Sequence, residues 1–311
     1  MHADRASLIG LCSIAVAMTM AGLWWLDITY PQAGAWVLVG LSVSVGFLHG
    51  ALDAPLLQRR FTDRRALVQA LAVYLASVLF VGWWLSGVFT VALWILIAMS
   101  LWHFGEPYGR WDDLPRWSSG LSRVVVGGAP VMLPVWLAPD QLTNTLLPVV
   151  GTFALNVWRS TAMAWLLLLV IWVLICGLPR ARAARYAWME LLGCTAAYLT
   201  FSPVMGFALY FGAYHAPTHI WRVRLAWVIN GADAQPKLSP AVIAIGLAAT
   251  LLATCLLGAG LWLLLGGTLA TSADSTSALR WLIVALAALT APHLVLISMC
   301  ASFLSCKRLM T

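Results

Sequence analysis

The chain has 311 residues, of which 62% are hydrophobic and 9% charged, with a net charge of +7. A soluble domain carries about 25% charged residues, so this composition excludes a water-facing surface over a chain of this length. The positive charge is no nucleic-acid footprint either, because the basic residues stand in short loops between apolar runs.

Apolar runs of the length needed to cross a bilayer, about 20 residues, recur from one end to the other. They predict ten helical spans, at 7–28, 34–57, 66–86, 88–108, 119–138, 158–178, 187–203, 204–222, 240–266 and 280–304. The first run, Ser7 to Ile28, is too long for the apolar region of a signal peptide, and no A-x-A cleavage pattern follows it. The segment Ala138–Val157 is mixed and reads as a short outer helix. The seventh and eighth spans share one apolar run, broken at Ser202-Pro203, because the residue before a proline is pushed out of the helical region. The longest polar stretch, Val223 to Ser239, reads as a loop. The six Cys show no C-x-x-C spacing and read as small buried hydrophobes. The eighteen Trp fit a protein with residues at membrane interfaces.

The charges test this division. With ten spans, 16 of the 18 Lys and Arg fall on one side, including the cluster Arg59, Arg60, Arg64 and Arg65; Arg159 and Arg280 fall on the other. The positive-inside rule then places both termini in the cytoplasm, and nine spans would turn the last basic loops outward. The expectation is an all-α polytopic transmembrane bundle, a single domain over 1–311, surrounded by lipid in the cell (inner) membrane.

Five histidines lie within these spans: His49, His103, His215, His219 and His293. Their host spans all run from outside to inside, and most of the five fall in the cytoplasmic half. Ionisable groups at bilayer depth are costly and are seldom left unpaired, so five at similar depth predict a shared metal site. In His215-Ala216-Pro217-Thr218-His219 the two imidazoles are four residues apart, on one helix face. Pro217, between them, removes a backbone hydrogen bond and can kink the helix, an irregularity tolerated at membrane depth where it lines a cavity. Asp53 follows His49 by four residues and Glu106 follows His103 by three. Both acids are read as carboxylates that accept the free N–H of a ligating histidine and fix its tautomer. Imidazole suits Zn, Cu, Fe and Ni alike, so the residues leave the metal open, and an all-His ferrous site would suit oxygen chemistry.

Four blocks then carry a resemblance: Phe47-Leu48-His49-Gly50-Ala51-Leu52-Asp53, Trp102-His103-Phe104-Gly105-Glu106, Tyr210-Phe211-x-x-Tyr214-His215-x-Pro217-x-His219 and Ala291-Pro292-His293. In this order, on a polytopic chain, they resemble the Brp/Blh family of bacterial and archaeal β-carotene 15,15′-dioxygenases. The resemblance implies a non-haem Fe(2+) enzyme that cleaves the central double bond of β-carotene with O2 to give two retinal molecules, which serve a microbial rhodopsin. It implies His49, His103, His215, His219 and His293 as the catalytic metal ligands, without deciding which four of the five bind. Phe47, Trp102, Phe104, Tyr210, Phe211 and Tyr214, beside the metal blocks, are the candidates to line a tunnel for a substrate that arrives from the lipid. A membrane di-iron hydroxylase needs more clustered histidines than these five. The non-enzymatic alternative is a metal- or haem-binding membrane protein, or an accessory protein for an opsin or for carotenoids; a haem would show a Soret band.

Overall fold

The fold is that of a computed structural model, which describes residues 19–30, 37, 40, 50, 52–106, 116–176, 182–230 and 275–300. The ninth expected span, most of the first two, and with them Phe47 and His49, lie outside the described residues. Every regular element among the described residues is helical. In chain order they are α1 (19–29), α2 (Asp53–Arg60), α3 (Arg64–Gly87), α4 (Phe89–Phe104), α5 (Arg116–Leu137), α6 (Pro139–Cys176), α7 (Arg182–Thr200), α8 (Pro203–Leu209), a π-helical turn (Tyr210–His215), α9 (Ala216–Asn230) and α10 (Ser275–Met299). Four stretches among the described residues are long and apolar enough to cross a membrane: Arg64–Gly87, Ser118–Leu137, Pro139–Ile175 and Leu282–Met299. Thr90–Phe104 is apolar but shorter.

Local chemistry sets the helix ends. Asp63 caps α3 by accepting from the Ala66 N–H at 2.8 Å. Arg59 and Arg60 close α2, where cations suit the negative end of the helix dipole. The break expected at Ser202 is present: α7 stops at Thr200, and Pro203 opens α8 at a position where its missing N–H costs nothing. Ser202 donates both its backbone N–H and its hydroxyl to Asp27 on α1, so the corner is tied to a helix far away in sequence. The mixed segment after Ala138 is helical up to a kink at Gly151, whose φ of 79° belongs to glycine. The polar stretch expected as a loop from Val223 is helical through Asn230, because its first breaker is Gly231.

α5 is the hub, packed against α4, α6 and α7, while α10 packs on α3 and α4. Two prolines, Pro130 and Pro134, stand inside α5. Pro134 has no N–H for the Pro130 carbonyl, and the Tyr198 hydroxyl donates to that oxygen instead. Along α6, Trp158, Trp165 and Trp172 recur every seventh residue and face α5. Their indole N–H groups donate to Val131 O at 3.1 Å, Val125 O at 3.1 Å and Ser122 Oγ at 2.8 Å. These three tryptophans are core residues, not interface anchors. With no water inside a bilayer, each indole N–H must find its acceptor on a neighbouring helix.

α4 and α5 approach closely through Gly105 and Gly127. A Cβ on Gly127 would overlap Leu101 O and the Gly105 backbone, and one on Gly105 would overlap Arg123 O. Small residues at such crossings let two backbones meet in a membrane. Gly127→Val is therefore expected to separate the two helices, with an overpacking cost of about 1–3 kcal/mol or more. Thermal melting of the detergent-purified protein checks this; an unchanged melting point would mean that the crossing yields.

Candidate metal centre

Three segments bring histidines to one place. His103 stands near the end of α4, His215 ends the π turn, His219 follows one turn into α9, and His293 is next to Pro292 in α10. All four are buried, between 4% and 6% exposed. His103 is central: its ring centroid lies 4.7 Å from that of His215, 4.9 Å from His293 and 6.0 Å from His219. His219 and His293 are 5.2 Å apart, and His215 and His219 stack at 6.4 Å.

The π turn explains the placement of His215. Pro217 cannot donate to the carbonyl four residues back, and the Ala216 N–H bonds Phe211 O, five residues back. The turn is widened where the chain passes the other histidines, as is frequent at functional sites.

The two acids take different kinds of partner. Asp53 Oδ1 lies 2.7 Å from His293 Nδ1, a partner 240 residues away. Its Oδ2 accepts from the Tyr74 hydroxyl on α3. The contact puts the His293 proton on Nδ1 and leaves Nε2 as the lone-pair nitrogen. Glu106 pairs with Arg222 of α9 at 2.8 Å, so this carboxylate ties α4 to α9 instead of holding a histidine.

The expected tunnel aromatics also divide. Phe104 is buried with its ring 4.5 Å from His215, and Phe211 stacks on His215 at 6.1 Å. Tyr210 stacks on His215 at 6.1 Å and borders a cavity of about 650 Å³ with Tyr214, Trp24, Met189 and Phe201. Trp102 departs from the expectation: it is half exposed, under the Arg123 guanidinium at 3.6 Å. Adjacent helical residues point about 100° apart, so Trp102 cannot share the direction of His103.

Sequence reasoning missed Glu190 on α7. It is 5% exposed, accepts from Tyr210 Oη at 2.7 Å and from Tyr214 Oη at 3.0 Å, and forms part of the cavity wall. Its signal was available: it is the single acid in the span expected at 187–203, and an acid at membrane depth is a functional candidate by default. Tyr74 carried no comparable signal.

The donor set suits a metal ion. Four imidazoles, each with a ring nitrogen able to offer a lone pair, stand together in the interior. His103 Nε2 and His215 Nε2 face each other at 3.0 Å, which requires a proton or a cation between two lone pairs. As they stand, no three His, Cys, Asp or Glu side chains among the described residues converge tightly enough to hold an ion. The donors are gathered but not closed around a point.

Fold and site together define a membrane protein, helical throughout its described regular elements, with a cluster of buried histidines in its core. The sequence profile of the β-carotene 15,15′-dioxygenase family matches residues 39–301. The chain belongs to that family. It is 26% identical over 279 residues to a β-carotene 15,15′-dioxygenase of uncultured marine bacterium 66A03, covering 84% of this chain and 92% of the relative. No solved structure matches the chain.

Proposed function

We propose that the protein is a non-haem iron dioxygenase that cleaves the central 15,15′ double bond of β-carotene with O2 to give two molecules of all-trans-retinal. The observation that carries this reading is the cluster of His103, His215, His219 and His293, buried together in a chain of the β-carotene 15,15′-dioxygenase family. Four of the five histidines, drawn from these and His49, would hold Fe(II). Bound iron would supply the activation of O2, whose triplet ground state bars direct reaction with a closed-shell alkene. The balance is simple: one C=C and one O2 become two C=O groups, with no external reductant.

The chain's own residues do the rest. Asp53 keeps the His293 tautomer and ring orientation. Phe104 and Phe211 cover His215 and exclude water from it. The cavity bordered by Tyr210 and Tyr214 is apolar on most of its wall and suits one arm of a rigid polyene. A polyene that fits holds its central bond still, which is the main service a protein offers to chemistry supplied by a cofactor. Ten spans with both ends in the cytoplasm of the cell membrane complete the reading. The distribution of Arg and Lys supports it. The retinal released would pass to a microbial rhodopsin.

The test is product analysis with purified, iron-loaded protein and β-carotene. Two retinal molecules per carotene consumed are expected. Off-centre apocarotenals would overturn central cleavage, and no apocarotenoid from any carotene would overturn the enzyme reading.

A further inference from the structure

We propose that Glu190 is a positioning residue: through Tyr210 and Tyr214 it anchors the π turn against α7 in the rotation that sets the His215 ring against His103. The proposal rests on reading the histidine cluster as the metal centre.

Glu190 is on α7, outside the helices that carry the histidines, and its two oxygens take one tyrosine each, Tyr210 at 2.7 Å and Tyr214 at 3.0 Å. These are the first and fifth residues of the π turn. In an α-helix the register advances about 100° per residue, so the extra residue held in a widened turn redirects every side chain after it. His215 is the next residue, and its Nε2 lies 3.0 Å from His103 Nε2. Tyr210 also stacks directly on the His215 ring at 6.1 Å and on Phe104 at 5.2 Å. A carboxylate that grips the first and fifth residues of the turn therefore fixes its rotation relative to α7. Rotation of this segment about its own axis would break both contacts and turn His215 away from His103. The same three side chains border the cavity, so the grip also shapes the wall next to the cluster.

The experiment uses the full-length protein in detergent, loaded with Co(II) as a spectroscopic metal, and compares wild type with Glu190→Gln, Glu190→Leu and the double variant Tyr210→Phe/Tyr214→Phe. Co(II) affinity and its ligand-field absorption bands report the histidine geometry independently of turnover. Glu190→Leu and the double variant are expected to lose about tenfold or more in affinity, the range for residues that orient metal ligands, and to show the same altered bands. Glu190→Gln offers one acceptor and one donor to the two hydroxyls, and is expected to keep bands close to wild type. In the carotene assay Glu190→Leu should lower kcat more than it raises KM. If Glu190→Leu fails to fold, the double tyrosine variant, which keeps the carboxylate, decides. Wild-type affinity and bands in the variants, with only a lower melting temperature, would overturn the positioning role and leave the metal centre standing. A wild-type protein that binds no Co(II), Fe(II) or Zn(II) would overturn the metal reading itself.

Discussion

His103→Ala is expected to abolish retinal formation, with a loss of about a thousandfold or more. His103 is the ring around which the others are arranged, within 4.7 to 6.0 Å of His215, His293 and His219. A metal that polarises or activates a substrate contributes several kcal/mol to the transition state, and about 4 kcal/mol corresponds to a thousandfold in rate. The same variant should purify with substoichiometric iron. Iron content by elemental analysis and retinal by chromatography check both halves, and helical circular dichroism confirms that the chain has folded. A His103→Ala protein that keeps its iron and its turnover would reduce the cluster to hydrogen-bonded core histidines.

Asp53→Asn has the second largest expected effect, a fall of about 10- to 100-fold in iron affinity with a smaller loss of activity at saturating iron. The carboxylate accepts from two groups at once, His293 Nδ1 and the Tyr74 hydroxyl. The isosteric amide has a single acceptor oxygen, so one of the two donors loses its partner or the His293 tautomer changes. Metal titration of the variant measures this. Tyr74→Phe should have a weaker effect in the same direction, since the carboxylate keeps its histidine. The competing account is that Asp53 serves only the N-terminal dipole of α2, where it occupies the first turn. On that account Asp53→Asn would lower the melting temperature and leave iron affinity untouched.

Several elements were legible in the sequence for identifiable reasons. The Ser202 corner was readable because proline acts locally on the residue before it, and Pro203 does open α8. The helices α3, α5, α6 and α10 follow from apolar length alone. The role of Trp158, Trp165 and Trp172 was not legible from composition. Their seven-residue spacing gives them a common face, but which helix they face, and that it carries prolines, depends on packing.

By itself the sequence determined that this protein is helical and lives in a membrane, and which histidines stand inside its apolar runs. Burial energetics act on each residue type wherever it stands, so composition and spacing carry that information. The tertiary structure decided who meets whom. Asp53 holds His293, 240 residues away, and Glu106 holds Arg222. Glu190 grips a turn on another helix. The physical reason is rotational. Spacing specifies which residues share a helix face, but a widened turn at Tyr210–His215 and prolines at 217 and 292 redirect those faces. Only the packed helices then determine which faces touch.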